Sequence, residues 1–164
     1  MKITVTIFII GLALMVAACA TPYQHTSFRG GYSETQLAPD VFRVYFRGNA
    51  YTSMERAQDF ALLRAAEVAQ QNGFTHFAVV DESSSTTVST YTTEGQSHSS
   101  GSGQISGNTM TYSGSTTYYP GQTYIMFKPR TGLLIKCFTE KPEHVFTYDA
   151  GFLERSLKQK YGLE

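Results

Sequence analysis

The chain has no tryptophan and only two cysteines in 164 residues, and its thirteen basic and thirteen acidic side chains cancel. Charged residues make up 16%, well under the roughly 25% of an ordinary globular domain. No basic run occurs, so nucleic acid, which is bound mainly by neutralising phosphates, is not an expected partner. His25, His76, His98 and His144 are scattered without metal-ligand spacing, and neither a metal nor a cofactor is expected. Ser83-Ser84-Ser85 lacks the flanking glycines of a nucleophile elbow. The glycines between Gly101 and Gly107 lack the strand-to-helix context of a phosphate cradle. The length suits one ordinary domain.

The one long apolar run is at the start. Lys2 supplies a positive charge, residues 3–16 are nearly all apolar, and Val16-Ala17-Ala18-Cys19 closes the segment. Charge, apolar stretch and small residues in that order form a secretory signal, predicted over residues 1–18. The run falls short of the roughly 20 residues a bilayer span needs. Val16-Ala17-Ala18-Cys19 resembles the bacterial lipobox, which implies cleavage before Cys19 and its acylation by a diacylglyceryl group and a further chain such as palmitate. More than one chain matters, because each buried CH₂ adds only about 0.8 kcal/mol. Ala20 stands where an Asp would imply retention at the inner membrane, so the resemblance implies an outer-membrane anchor facing the periplasm. With Cys19 lipidated, Cys137 has no disulfide partner, and its place in an apolar alternation with Leu133 and Ile135 reads as core.

Residues 19–36 are polar, with Pro22 and Gly30-Gly31, and read as the lipidated cysteine and a flexible tether. Residues 37–164 read as one α+β domain. Phe42, Val44 and Phe46 alternate with Arg43, Tyr45 and Arg47, the pattern of a half-buried strand. Thr52 and Glu55 fit a capping box, after which Ala57, Ala61, Ala65 and Val68 recur at helical spacing beside Leu62 and Ala69 until Asn72-Gly73. Residues 74–81 read as a second strand. Residues 123–127 and 133–139 read as a hairpin about a turn at Lys128-Pro129-Arg130-Thr131-Gly132. Asp149 is placed to cap a last helix carrying Phe152, Leu153, Leu157 and Tyr161, ended by Gly162. The order predicted is β-α-β-β-β-α: an α+β fold with a mostly antiparallel sheet and helices on one face.

Residues 83–117 differ in kind, being mostly Ser, Thr and Gly, with Glu94 their only acid and no Lys, Arg, Leu or Phe. Thr86, Val88, Thr90 and Thr92 keep a period of two, so an extended β-arm is expected in preference to disorder. Tyr91, Tyr112, Tyr118 and Tyr119 lie in or beside this arm, and tyrosine gives a large amphipathic contact at low entropy cost. They are the candidate binding residues, although tyrosines also brace a hairpin across its strands.

The run from Gly30 to Leu37, Phe42-Arg43-Val44, Phe46-Arg47-Gly48-Asn49, the helix segment from Asp59 to Glu67, Gly73-Phe74 and Pro120-Gly121-Gln122-Thr123-Tyr124 together resemble a group of short proteobacterial lipoproteins of unknown function. The resemblance spans most of the chain after Cys19 outside the arm. It implies a membrane lipoprotein facing the periplasm and carries no catalytic residues to transfer. No catalytic residue is assigned, and the expectation is a non-enzymatic binding or structural module for an envelope protein or glycan. The alternative is an envelope-polymer hydrolase using Asp81 or Glu82, whose adjacency at a strand end otherwise marks the water boundary. Arg64 and Glu67, one helical turn apart, read as a surface ion pair.

Overall fold

The computed structural model describes residues 19–163; the expected signal peptide, residues 1–18, lies outside them. The described chain runs β1 (Gly31–Ala38), β2 (Val41–Arg47), α1 (Met54–Gln71), β3 (His76–Thr92), β4 (Gln96–Ser106), β5 (Thr109–Tyr119), β6 (Thr123–Phe138), β7 (Tyr148–Asp149) and α2 (Ala150–Tyr161). It divides into two units, one of Val88–Met126 and one of the described residues on either side.

The first unit is the α+β fold expected. Its sheet has the order β1-β2-β6-β3-β7, with β2 antiparallel to both β1 and β6. Alternation decides which side is buried. Phe42, Val44 and Phe46 lie opposite Ile135, Leu133 and Thr131, and all six are buried on the face the helices cover. From α1, Ala57, Ala61, Ala65 and Ala69 let the helix lie close to the sheet. Phe60 sits at the centre, fully buried, its ring edge-on to Phe46 at 5.1 Å and to Tyr161 of α2 at 4.8 Å. Asp149 caps α2 by accepting from the Phe152 amide at 2.8 Å, and Gly162 ends it in the left-handed conformation at φ 62°. Phe152, expected on the apolar face of α2, is exposed, while Leu157 is buried and Leu153 and Tyr161 pack against the core.

Four expectations are corrected. The tether does not persist to residue 36: Thr21 is fully buried and β1 begins at Gly31. The inward side chains of β1 include Tyr32 and Glu34, which meet Arg64 rather than an apolar wall, so hydrophobic periodicity is silent there. Gly30 and Gly31, at φ 98° and 121°, let the strap of residues 21–29 turn back; a Cβ at Gly30 would strike the Arg47 carbonyl.

The helix cap is Ser53, accepting from the Arg56 amide at 3.1 Å, because the Thr52 hydroxyl is occupied with the Thr21 amide and the Asn49 side chain. Glu55 pairs with Lys160 at 2.7 Å instead of closing a capping box.

The turn at residues 128–132 is absent, and β6 runs through it as one strand. Pro129 sits just past the last β2–β6 pair, Arg47 with Arg130, so its missing N–H removes none of those pairs, and its carbonyl still accepts from the Gly48 amide at 2.8 Å. Gly132 is not a turn residue either. It faces Tyr45, whose ring occupies the space of its absent Cβ.

Finally, Arg64 and Glu67 are not a surface pair but part of a largely buried network. Arg64 holds Glu34 through two bonds, at 2.9 and 3.1 Å, and donates to Glu67 at 3.0 Å. The Tyr23 hydroxyl donates to Glu67 at 2.6 Å, and Lys158 of α2 reaches the same carboxylate at 3.2 Å. Burial alone would lower the Arg64 pKa, but the hydrogen bonds it donates to Glu34 and Glu67 outweigh it and raise it. This network ties β1, the strap and both helices together.

In the second unit the Ser/Thr/Gly segment is strand. β4 and β5 pair antiparallel from Gln96 opposite Tyr119 to Ser106 opposite Thr109. The two residues between them, Gly107 and Asn108, make the tight loop, with Gly107 at φ 61° as such hairpin turns require. Every residue of β4 and β5 is exposed.

Candidate functional site

A strand alternates its side chains, so the register sorts this hairpin into two unlike faces. One carries Ile105 opposite Met110, Tyr112 opposite Gly103, Gly101 opposite Gly114, Ser99 opposite Thr116 and Tyr118 opposite Ser97. The other carries Ser100 opposite Ser115, Ser102 opposite Ser113, Gln104 opposite Thr111, and His98 opposite Thr117. Tyr119 opposite Gln96 closes that second face. One side is therefore aromatic and aliphatic, and the other is almost wholly hydroxyl and amide.

The glycines explain how the aromatic side is built. A Cβ on Gly101 would strike the Tyr112 hydroxyl, and one on Gly114 would lie 3.0 Å from the same ring. A Cβ on Gly95 would lie 2.5 Å from the Tyr118 hydroxyl. The rings thus lie down across bare glycine backbone, the packing by which aromatics restore order to glycine in an open sheet. They remain accessible from above: Tyr112 is 71% and Tyr118 66% exposed. Ser99 and Thr116 link hydroxyls across the strands at 2.9 Å on the same face. The arrangement offers an exposed contact of rings and aliphatic groups, with no Lys, Arg, Asp or Glu in either strand.

Of the four tyrosines singled out from the sequence, Tyr112 and Tyr118 share this face, Tyr119 points to the other, and Tyr91 stands on β3, exposed. Ile105 and Met110 complete the face. Residue type alone does not single them out, because their opposition depends on a register that the Gly107-Asn108 loop sets.

Asp81 and Glu82 are adjacent on β3, so their side chains leave opposite faces of the strand, and both are exposed. Glu82 accepts from Gln58 Nε2 and from Ser84 Oγ, each at 3.1 Å. They do not converge on a shared point where one carboxyl could act as acid and the other as base. Among the described residues no three His, Cys, Asp or Glu gather to hold a metal ion. Cys137 is buried on β6, and burial, with the nearby Asp40 charge, pushes its thiol up to about 11, the opposite of an activated nucleophile.

Cys19, the predicted acylation site, is exposed at the start of the described chain, and its carbonyl accepts from Asn49 Nδ2 at 2.7 Å. No helix among the described residues is long and apolar enough to cross a membrane. No family model, curated protein or solved structure matches this chain.

Proposed function

We propose that the chain is a lipoprotein of the bacterial envelope, acylated at Cys19 in the outer membrane and facing the periplasm. In this reading it is a non-catalytic module that presents the β4–β5 hairpin to an envelope protein or glycan. The observation that carries the binding role is the one-sided hairpin, with Ile105, Met110, Tyr112 and Tyr118 gathered on a single exposed face. An isolated two-stranded hairpin is at best marginally stable in water, and an uncovered aromatic face gains most by being covered. Tyrosine is also the residue by which adaptable binding surfaces make large contacts cheaply in entropy. The address rests on the lipobox resemblance of Val16-Ala17-Ala18-Cys19, and the wider resemblance to short proteobacterial lipoproteins agrees with it. The hydrolase alternative has no converging carboxylates behind it, since Asp81 and Glu82 diverge.

The test is photo-crosslinking in intact cells from a reactive residue placed at Ser97, beside Tyr118. A discrete adduct is expected with the native hairpin, and its loss when Tyr112 and Tyr118 are both changed to Ser. Undiminished adduct in the double variant would remove the aromatic face as the contact.

A further inference from the structure

Thr21 is fully buried, its amide donating to Thr52 Oγ1 at 3.0 Å and its hydroxyl to the Arg29 carbonyl at 3.1 Å. Only Ala20 separates it from Cys19, and two extended residues reach about 7 Å. An acyl group on Cys19 would therefore have no slack chain between it and the folded body. The surface around that cysteine must lie at the bilayer, whatever its chemistry.

That chemistry is specific. Beside Cys19 is a cavity of about 460 Å³, lined also by Pro22, Arg29, Asn49, Tyr51 and Arg56. Neither arginine has a carboxylate partner among the described residues. Arg29 lies over the Phe28 ring at 5.3 Å. Arg56 lies over Phe60 at 4.9 Å and Tyr161 at 5.1 Å, and its Nε has no hydrogen-bond partner. Phe28 is 91% exposed and Tyr51 72%. Two cations without carboxylate partners and the exposed Tyr51 thus line the cavity beside Cys19, and Phe28 stands bare next to one of them, Arg29. Phosphate oxygens are the natural acceptors for guanidinium groups, and aromatic side chains favour the headgroup layer.

We infer that this surface is a membrane seat, in which Arg29 and Arg56 take phospholipid phosphates of the bilayer holding the anchor while Phe28 and Tyr51 enter its interfacial layer. The inference rests on the acylation of Cys19 and adds to it a fixed orientation of the first unit on the membrane.

The absence of tryptophan supplies the test. Phe28→Trp places a single tryptophan on the seat of the full lipoprotein, reconstituted into phosphatidylcholine vesicles with or without phosphatidylglycerol. Mass spectrometry reads acylation and flotation reads retention. A seated domain gives blue-shifted emission, quenched by brominated acyl chains and most strongly in the anionic vesicles. Arg29→Gln should lower the seated-to-unseated ratio about fivefold, the usual worth of one arginine near an anionic surface. Tyr51→Ser should lower it further, and both are exposed positions whose replacement leaves the circular dichroism unchanged. Acylated protein that floats while its tryptophan emits as in water, unquenched, would overturn the seat and leave the anchor standing. A chain that neither floats nor carries acyl mass would overturn the anchor, and the seat with it.

Discussion

The two units spend the same backbone hydrogen bonds very differently. In the first, β2 and β6 pair so that Val44 meets Leu133 and Phe42 meets Ile135, and the ladder positions a wall that α1 and α2 bury. In the second, β4 and β5 pair over a longer stretch, eleven pairs against seven, yet every residue stays exposed and side chains such as Tyr112 lie on bare glycine. Pairing alone gives shape; burial gives stability, at about 25 cal/mol per Å² of apolar surface removed from water. The first unit should therefore carry nearly all of the unfolding free energy, while the hairpin of the second contributes exposed surface and little stability.

The sharpest way to break that comparison is a charge in the core. Ala61→Asp buries an unpaired carboxylate, and Phe60→Asp removes the ring that packs on Phe46 and Tyr161 and sets a charge in its place with only Arg56 near it; each should cost on the order of 5 kcal/mol. Loss of the cooperative thermal transition is expected, and a transition within a degree or two of wild type would mean that burial does not hold the first unit together.

Next in size is the ionic network. Arg64→Met leaves Glu34 and Glu67 without their principal cation, although Lys158 still reaches Glu67. Breaking a mostly buried pair in this way should cost about 2–4 kcal/mol, seen as a lower denaturant midpoint. Glu34→Gln should cost less, because its side chain is more exposed than that of Arg64.

Alkaline pH acts on the same unit. The Cys137 thiol is raised from 9.0 to about 11 by burial and then by Asp40, and the Tyr23 hydroxyl is raised above 10.0 by burial and then by its bond to Glu67. In the unfolded chain both ionise at their ordinary values, while the folded chain keeps their protons. Stability is thus complete below about pH 9 and falls as pH rises toward 11, by about 1.4 kcal/mol per unit from Cys137 above pH 9 and by as much again from Tyr23 above about pH 10. Urea titrations at pH 8 and pH 10 measure this. Cys137→Ala should flatten the slope, and an unchanged slope in that variant would remove the thiol from the account.

The smallest effect is expected from the largest deletion. Replacing Val88–Met126 with a short Gly-Asn turn should change the unfolding free energy by less than about 1 kcal/mol, since a shorter loop closes at slightly lower entropic cost and no buried apolar residue is lost from β4 or β5. A fall of several degrees in Tm would show that the hairpin shares in the fold.

What the sequence made legible follows the same division. Alternation identified β2, and the alanine spacing identified the face of α1, because both are consequences of burial. Asp149 and Gly162 marked the ends of α2 by local chemistry alone. β1 escaped notice because its inward contacts are ionic and aromatic, Glu34 and Tyr32 with Arg64. β6 was cut in two because Pro129 and Gly132 carry the composition of a turn. Their actual settings, past the end of one ladder and beneath the Tyr45 ring, exist only in three dimensions. In the hairpin, the tyrosines could be picked out by residue type, but their sorting into Tyr112 and Tyr118 against Tyr119 needed the register.

The continuity of β6 has a mechanical meaning. From Thr123 to Phe138 it is one unbroken strand, exposed over its first residues and buried at Leu133, Ile135 and Cys137. Tension applied to residues 123–126 therefore passes along covalent backbone into a strand flanked by β2 on one side and β3 on the other. Drawing that strand out along its axis would require its ladder bonds on both sides to shear together rather than peel one at a time.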